Sequence, residues 1–153
     1  MPHTFTQIHI QVVFAVKYRA SLIQDFWRDE LHKYITGVFQ GNKHKMLQIN
    51  SMPDHLHFFG GFRPNQSVSS IVQAVKAESS TWINKRGFCR SRFEWQEGFG
   101  AFSYSKDRID SVVKYIQNQK EHHKKETFLE EYKRLLEEFE IEYDEKYLFT
   151  LPI

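Results

Sequence analysis

The stretch NSMPDHLHFFGGF (Asn50–Phe62) decides how this chain is read. Pro53-Asp54 is a turn signal, and His55 to Phe62 behind it reads as a strand. The preceding strand, around Met46 to Asn50, follows the turn GNKHK (Gly41–Lys45) and pairs with it hairpin-like. Alternate residues of a strand share a face at a spacing of about 6–7 Å. His55 and His57 therefore aim their imidazoles to one side, while Leu56 anchors the strand in the core. With 8 histidines in 153 residues, chance alone supplies about 0.4 such pairs. The pair by itself does not separate a metal site from two ordinary histidines on a sheet face.

Outward from this hairpin the pattern is regular. Ile8, Ile10, Val12, Phe14 and Val16 alternate with mostly polar neighbours over Gln7 to Val16, a strand with one buried face. Trp27, Leu31, Tyr34, Ile35 and Val38 repeat at helical spacing. Ser67 is placed as the N-cap of a second helix carrying Val68, Ile71, Val72, Val75 and Trp82. Gly98 to Ser105 reads as a fourth strand, and a third helix is expected from Ser105 to about His122. A fourth, from Thr127 to Glu140, presents Phe128, Tyr132, Leu135, Leu136 and Phe139 on one face.

The order strand-helix-strand-strand-helix-strand predicts an α+β fold, the ferredoxin-like or RRM-like split βαβ. Its antiparallel sheet carries helices on one face and leaves the other available, with further helices at the C-terminus. No repeat or Pro/Gly/Ser linker divides the chain, so residues 1–153 are expected to form one domain.

Composition narrows the function classes. A net charge of +2 rules out a globally polybasic protein, but the basic residues prevail up to Lys106 and the segment Glu126–Glu145 is acidic. That asymmetry, with 14 Phe and 7 Tyr, is compatible with nucleic acid on one face. The one cysteine, Cys89, excludes a disulfide framework and a four-cysteine zinc site. No apolar run reaches the ~20 residues that span a bilayer and no signal-peptide core is visible, so the expectation is a cytoplasmic protein away from membranes.

The segment SVVKYIQNQKEHH (Ser111–His123) adds chemistry. Ile109, Val112, Val113 and Ile116 form the apolar stripe of the third helix. Tyr115 and Gln119 lie about 40° apart on one flank of it. A hydroxyl nucleophile beside an amide oxygen, with two histidines on a strand, suits phosphoryl transfer through a covalent tyrosine intermediate. Without the histidines, Tyr115 would read as a half-buried boundary aromatic and Gln119 as a solvated residue. His122 and His123 read as partners of the helix dipole.

MPDHLHFF, the Ser67 helix and YIQNQ together resemble the single-tyrosine HUH (histidine-hydrophobic-histidine) transposases of the insertion-sequence 200/605 group, which include REP-associated tyrosine transposases. VVFAVKYR (Val12–Arg19) and AVKAESSTWIN (Ala74–Asn84) extend the likeness nearly to His123, with 58 positions from His57 to Tyr115. The resemblance implies that His55 and His57 bind a metal, with Gln119 as third ligand. It implies that Tyr115 cleaves single-stranded DNA to leave a 5′-phosphotyrosine and a free 3′-hydroxyl, and that another 3′-hydroxyl then rejoins the strand. It further implies recognition of hairpins near the element ends, and a homodimer in which the tyrosine helix can complete the partner's site. The catalytic core is then about 5–123, and the acidic helix and tail, 124–153, serve packing or dimer support. Mg²⁺ or Mn²⁺ suits such a set.

Lys17, Arg19, Lys76, Lys85, Arg86, Arg90 and Arg92 are the candidates for DNA contact. A non-enzymatic or domesticated nucleic-acid-binding module of the same fold is the other reading. A small zinc hydrolase is disfavoured because no carboxylate obviously completes the ligand set.

Overall fold

The computed structural model describes residues 3–148. Strands β1 (His9–Ala15), β2 (Lys45–Met52), β3 (His55–Gly61) and β4 (Gly100–Tyr104) form one antiparallel sheet in the order β2-β3-β1-β4. Helices α1 (Asp25–Gly41) and α2 (Val68–Arg86) occupy the two crossovers. This is the ferredoxin-like arrangement that the sequence pattern predicts.

Period-two alternation sorts the central strands into two faces. Val12, Phe14, Leu56 and Phe58 point to one side, where they are buried against Trp27, Leu31, Ile35 and Phe39 of α1 and Ile71, Val72, Val75 and Ile83 of α2. The N-cap of α2 is Ser67, whose hydroxyl accepts from the Ser70 amide at 3.0 Å. Gly87 ends the helix at φ 69°, a left-handed conformation that glycine takes without strain.

The opposite face is not left open, contrary to the sequence-based expectation. It is covered by α3 (Ile109–Gln117), the short α4 (Gln119–His122) and α5 (Phe128–Glu138). Val112 and Ile116 of α3 pack on Phe59, and Phe128, Leu135 and Leu136 of α5 pack with Val13, Ala15 and Phe102. The physical reason lies in the sheet itself: Val13, Ala15, Phe59 and Phe102 make that face apolar too, and the amphipathic C-terminal helices bury it. Thr127 begins α5 with a capping box, its hydroxyl accepting from the Glu130 amide while the Glu130 carboxylate accepts from the Thr127 amide. A final turn, α6 (Glu145–Leu148), follows; residues 149–153 of the expected acidic tail lie outside the described residues.

The expected continuous helix from Ser105 to about His122 is divided in two. Asn118 leaves helical geometry at φ −94°, ψ 21°. The side-chain amide of Asn50, on β2, donates to the carbonyls of Ile116 and Gln117 at 2.9 and 3.3 Å. It takes over two acceptors that a continuing helix would have used, so α3 stops at Gln117 and α4 begins at Gln119. None of the helices among the described residues is long and apolar enough to cross a membrane.

Close approach fixes one sheet position. A Cβ added at Gly60 would lie 2.5 and 2.7 Å from Phe39 ring carbons and 2.9 Å from the Lys45 carbonyl oxygen. Gly60→Ala is expected to destabilise the fold by about 2–3 kcal/mol, since overpacking a tight core costs of that order. Urea denaturation measures it, and shortening the ring with Phe39→Leu in the same chain should recover part of the loss.

Candidate active site

Adjacent elements bring the expected residues together. His55 and His57 project from β3 toward the C-terminal helices, and both are fully buried. The His55 ring stacks on Phe128 at 4.1 Å, and the two imidazole rings are 5.3 Å apart. Asp54 Oδ1 lies 2.7 Å from Nδ1 of His55 and turns its Nε2 inward. Gln11 Nε2 donates to Nδ1 of His57 at 2.9 Å, which directs that ring's Nε2 the same way. The Gln11 carbonyl in turn accepts from the Tyr104 hydroxyl at 2.8 Å.

At the point where these nitrogens converge stands Glu131 of α5, with no solvent exposure. Its Oε1 is 2.9 Å from Nε2 of His57, 3.0 Å from Nε2 of His123 and 3.4 Å from Nε2 of His55. Its Oε2 accepts from the Gln119 amide at 2.9 Å and from the Tyr115 hydroxyl. Gln119 Oε1 lies 3.3 Å from His55 Nε2 and 3.2 Å from His123 Nε2. Gln119, the first residue after the break at Asn118, is fully buried. Tyr115 is half-buried, its ring 6.1 Å from that of His57 and 4.5 Å from that of His122, and Arg134 Nη2 donates to its hydroxyl at 2.8 Å.

The electrostatics follow from burying one carboxylate among imidazoles. Burial alone would push the Glu131 carboxyl up, but the charge of His57 and hydrogen bonds with His123, His55 and His57 hold it far below the usual range. For His55, burial works against the proton, yet hydrogen bonds to Asp54 and Glu131 outweigh it and raise the pKa to about 9. Burial lowers His57 in spite of Glu131. Burial and then the Glu131 charge push the Tyr115 hydroxyl well above its ordinary value, with Arg134 opposing.

Two sequence-based expectations are corrected here and a third is extended. The acidic helix after Thr127, expected to serve packing or dimer support, does pack on the sheet but also supplies the carboxylate that the sequence reading lacks for a ligand set. Glu131 lies at the centre of the cluster, and His55, His57 and Glu131 place one ligand atom each within 4.8 Å of one another. His123, expected as a dipole partner, bonds Glu131 directly. The signal for Glu131 was present: three positions after Phe128 and four before Leu135, it puts a carboxylate on the apolar stripe of an amphipathic helix.

The expected DNA contacts lie elsewhere. Lys17 and Arg92 are exposed beside Glu94, at 3.0 and 3.7 Å, and with Lys76 they line an open groove of about 850 Å³. The Lys76 ammonium donates to the backbone carbonyls of Gln96 and Gly98, and burial lowers its pKa to about 8. Arg86 pairs with Glu30 at 3.1 Å and lies over the Phe88 ring. Lys85 and Arg90 are exposed, and Arg19 is half-buried at φ 51°.

Comparison with known proteins adds the family. The model described as "Transposase IS200 like" matches residues 4–119. The chain belongs to the IS200-like transposase family. The ISDra2 transposase TnpA of Deinococcus radiodurans is 22% identical over 118 residues, covering 74% of this chain and 84% of that protein. A crystal structure described as a transposase from Deinococcus radiodurans R1 superposes with a TM-score of 0.61 at 20% identity, over 76% of this chain and 94% of the other. A REP-associated tyrosine transposase bound to a REP hairpin gives a TM-score of 0.61 at 14% identity, over 79% and 72% of the two chains. These superpositions show the shared fold. The family match takes in His55, His57, Tyr115 and Gln119 and ends before Glu131.

The raised His55 value yields a pH signature. A basic group whose folded pKa exceeds its unfolded value of about 6.5 stabilises the fold fully below that pH, and the contribution disappears as pH rises through the folded value. In chelator, stability is therefore expected to decline between pH 6.5 and about 9. Asp54→Ala, which removes both the hydrogen bond that raises His55 most and the charge behind it, should flatten that decline in urea titrations run across the window.

Proposed function

We propose that the protein is a metal-dependent transposase that nicks and rejoins single-stranded DNA, with Tyr115 as nucleophile. The observation that carries this reading is the Tyr115 hydroxyl bonded to the same carboxylate that faces Nε2 of His55 and His57. Family membership supplies the reaction class, and the side chains suit it.

The donor set fits a divalent cation. Two imidazole nitrogens and a carboxylate oxygen converge, with the amide oxygen of Gln119 alongside. Asp54 accepts from the far nitrogen of His55, as metal-ligating histidines require, and Gln11 would do the same for His57 with its side-chain amide turned so that the oxygen faces Nδ1. Gln11 offers an acceptor as well as a donor, so it can serve His57 in either tautomer. His55, His57 and Glu131, with Gln119, would hold Mg²⁺ or Mn²⁺. The ion would draw charge from the phosphoryl oxygen under attack.

The remaining chemistry falls to the chain. The apolar stripe of α3, packed on Phe59, fixes the Tyr115 backbone, while Glu131 and Arg134 orient its oxygen. The tyrosine oxygen attacks phosphorus and gives up its proton to water, while the 3′-oxygen departs and takes a proton from water. The product is a 5′-phosphotyrosine with a free 3′-hydroxyl, and attack by a second 3′-hydroxyl reverses the bond change to join strands. The open groove lined by Lys17, Lys76 and Arg92 is assigned to hairpin backbone contact, and the protein is placed in the cytoplasm with its DNA.

Tyr115→Phe keeps the ring packing and removes the nucleophilic oxygen. It is expected to fold, to bind hairpin DNA, and to give no covalent adduct on denaturing gels. Chelator, His55→Ala and His57→Ala should each abolish the adduct in an otherwise wild-type chain. An adduct in Tyr115→Phe would move the nucleophile elsewhere, Tyr104 first. Wild-type hairpin binding with no adduct under any metal condition would favour the non-enzymatic binding module.

The family resemblance implies a homodimer with shared sites. Mixing Tyr115→Phe with His57→Ala chains should then restore cleavage once exchange is confirmed, because each heterodimer holds one site with wild-type histidines beside a wild-type tyrosine. Cleavage that stays absent would mean that each chain works with its own tyrosine.

A further inference from the structure

Glu131 is not the one residue of α5 that reaches the nucleophile. Arg134 follows it by three positions, about 60° round the helix, and so faces the same neighbourhood. Its Nη2 donates to the Tyr115 oxygen at 2.8 Å, and its guanidinium carbon lies 5.6 Å from the tyrosine ring centroid. Glu126 clamps the other edge, accepting from Nε at 3.0 Å and from Nη2 at 3.1 Å. Nη1 lies 3.9 Å from Glu138, outside hydrogen-bond distance.

An exposed arginine paired with Glu126 alone would be an ordinary surface ion pair, contributing about 0–1 kcal/mol. Its contact with the nucleophilic oxygen sets it apart. Any phosphate attacked by Tyr115 must bring phosphorus to within about 3–3.5 Å of that oxygen. The phosphate's non-bridging oxygens then fall within reach of a guanidinium already hydrogen-bonded to the tyrosine. The space for it is present: a cavity of about 180 Å³ opens beside Tyr115, lined by Gln11, Tyr104, Arg108, Ser111 and Arg134 among others. A second guanidinium, that of Arg108, lies over the Tyr104 ring at 5.6 Å on the wall of this cavity.

We propose that Arg134 is a catalytic residue that grips a non-bridging oxygen of the scissile phosphate, and that the cavity beside Tyr115 receives the DNA strand at the nick. The assignment rests on the nicking reaction proposed above. In that reaction the Tyr115 oxygen–phosphorus bond forms and the phosphorus–3′-oxygen bond breaks. Two negative charges crowd the phosphoryl oxygens midway, and the planar N–H fork of Arg134 faces them. Glu126 acts as a positioning residue, holding the fork in place without touching the phosphate. Glu131 and Arg134 would then divide the labour of α5, one serving the histidine side and the other the phosphate.

The test compares two single-stranded hairpin substrates under single turnover with the full-length protein. One carries the natural scissile phosphodiester, the other a methylphosphonate there, in which a methyl group replaces the charged oxygen. On the phosphodiester, Arg134→Ala is expected to slow adduct formation by about 100-fold or more, with hairpin affinity within about twofold of wild type. On the methylphosphonate the charge to be gripped is gone, so wild type and Arg134→Ala should react at equal rates. Arg134→Lys should recover part of the phosphodiester rate. Arg134→Gln, closer in size, repeats the comparison if the alanine variant melts early.

An Arg134 penalty of the same size on both substrates overturns the assignment, and so does a wild-type rate for Arg134→Ala on the phosphodiester. If wild-type protein forms no Tyr115 adduct at all, the nicking reaction itself fails, which is a separate and visible outcome.

Discussion

A carboxylate without solvent, Glu131, is the constraint around which the second half of the molecule is arranged. Burying such a charge costs several kcal/mol unless partners replace water. The partners come from elements distant in sequence: His57 and His55 from β3, Gln119 from α4, His123 just after it, and Tyr115 from α3. Each is satisfied only when α5 is docked. The helix is thus tied to the sheet by polar geometry as well as by Phe128, Leu135 and Leu136. Hydrophobic contact brings α5 to the sheet face, and the hydrogen bonds of Glu131 select its register there.

A smaller constraint makes that cluster reachable. Asn50 ends α3 by capping the carbonyls of Ile116 and Gln117, and the chain turns at Asn118. Gln119 follows the break directly and approaches His55 and Glu131, while Tyr115 lies one turn earlier and reaches the same carboxylate. The same hairpin that holds the two histidines therefore also shapes the helix that faces them, because Asn50 pairs with His57 across β2 and β3.

The two sheet faces divide the work of the protein. One, closed by α1 and α2, is a dry core rich in stacked rings such as Trp27 on Phe88 and Tyr34 on Trp82. The other carries the polar cluster under α3 to α5. In IS200-like transposases the family pattern extends over residues 4–119 of this chain, yet Glu131 and Arg134 stand beyond it and both touch Tyr115. The segment after the family match is therefore built into the surroundings of the tyrosine.

Much of this was legible in the residues alone. Alternation in Ile8–Val16 and His55–Phe62, helical periodicity in α1, α2 and α5, and the caps at Ser67 and Thr127 each act over a few positions, so local pattern determined the strand order and the helices. The shared face of His55 and His57 follows from the pleat, and the rotation from Tyr115 to Gln119 was read from ideal helix geometry. What required the tertiary structure were features held by contacts across long sequence separation. The break at Asn118 depends on an amide from β2, the covering of the second face depends on how α3 to α5 fold back, and the central place of Glu131 depends on imidazoles 74 and 76 positions earlier. Periodicity could mark Glu131 as a carboxylate on an apolar stripe. Only the docked helix decided which groups would share its charge.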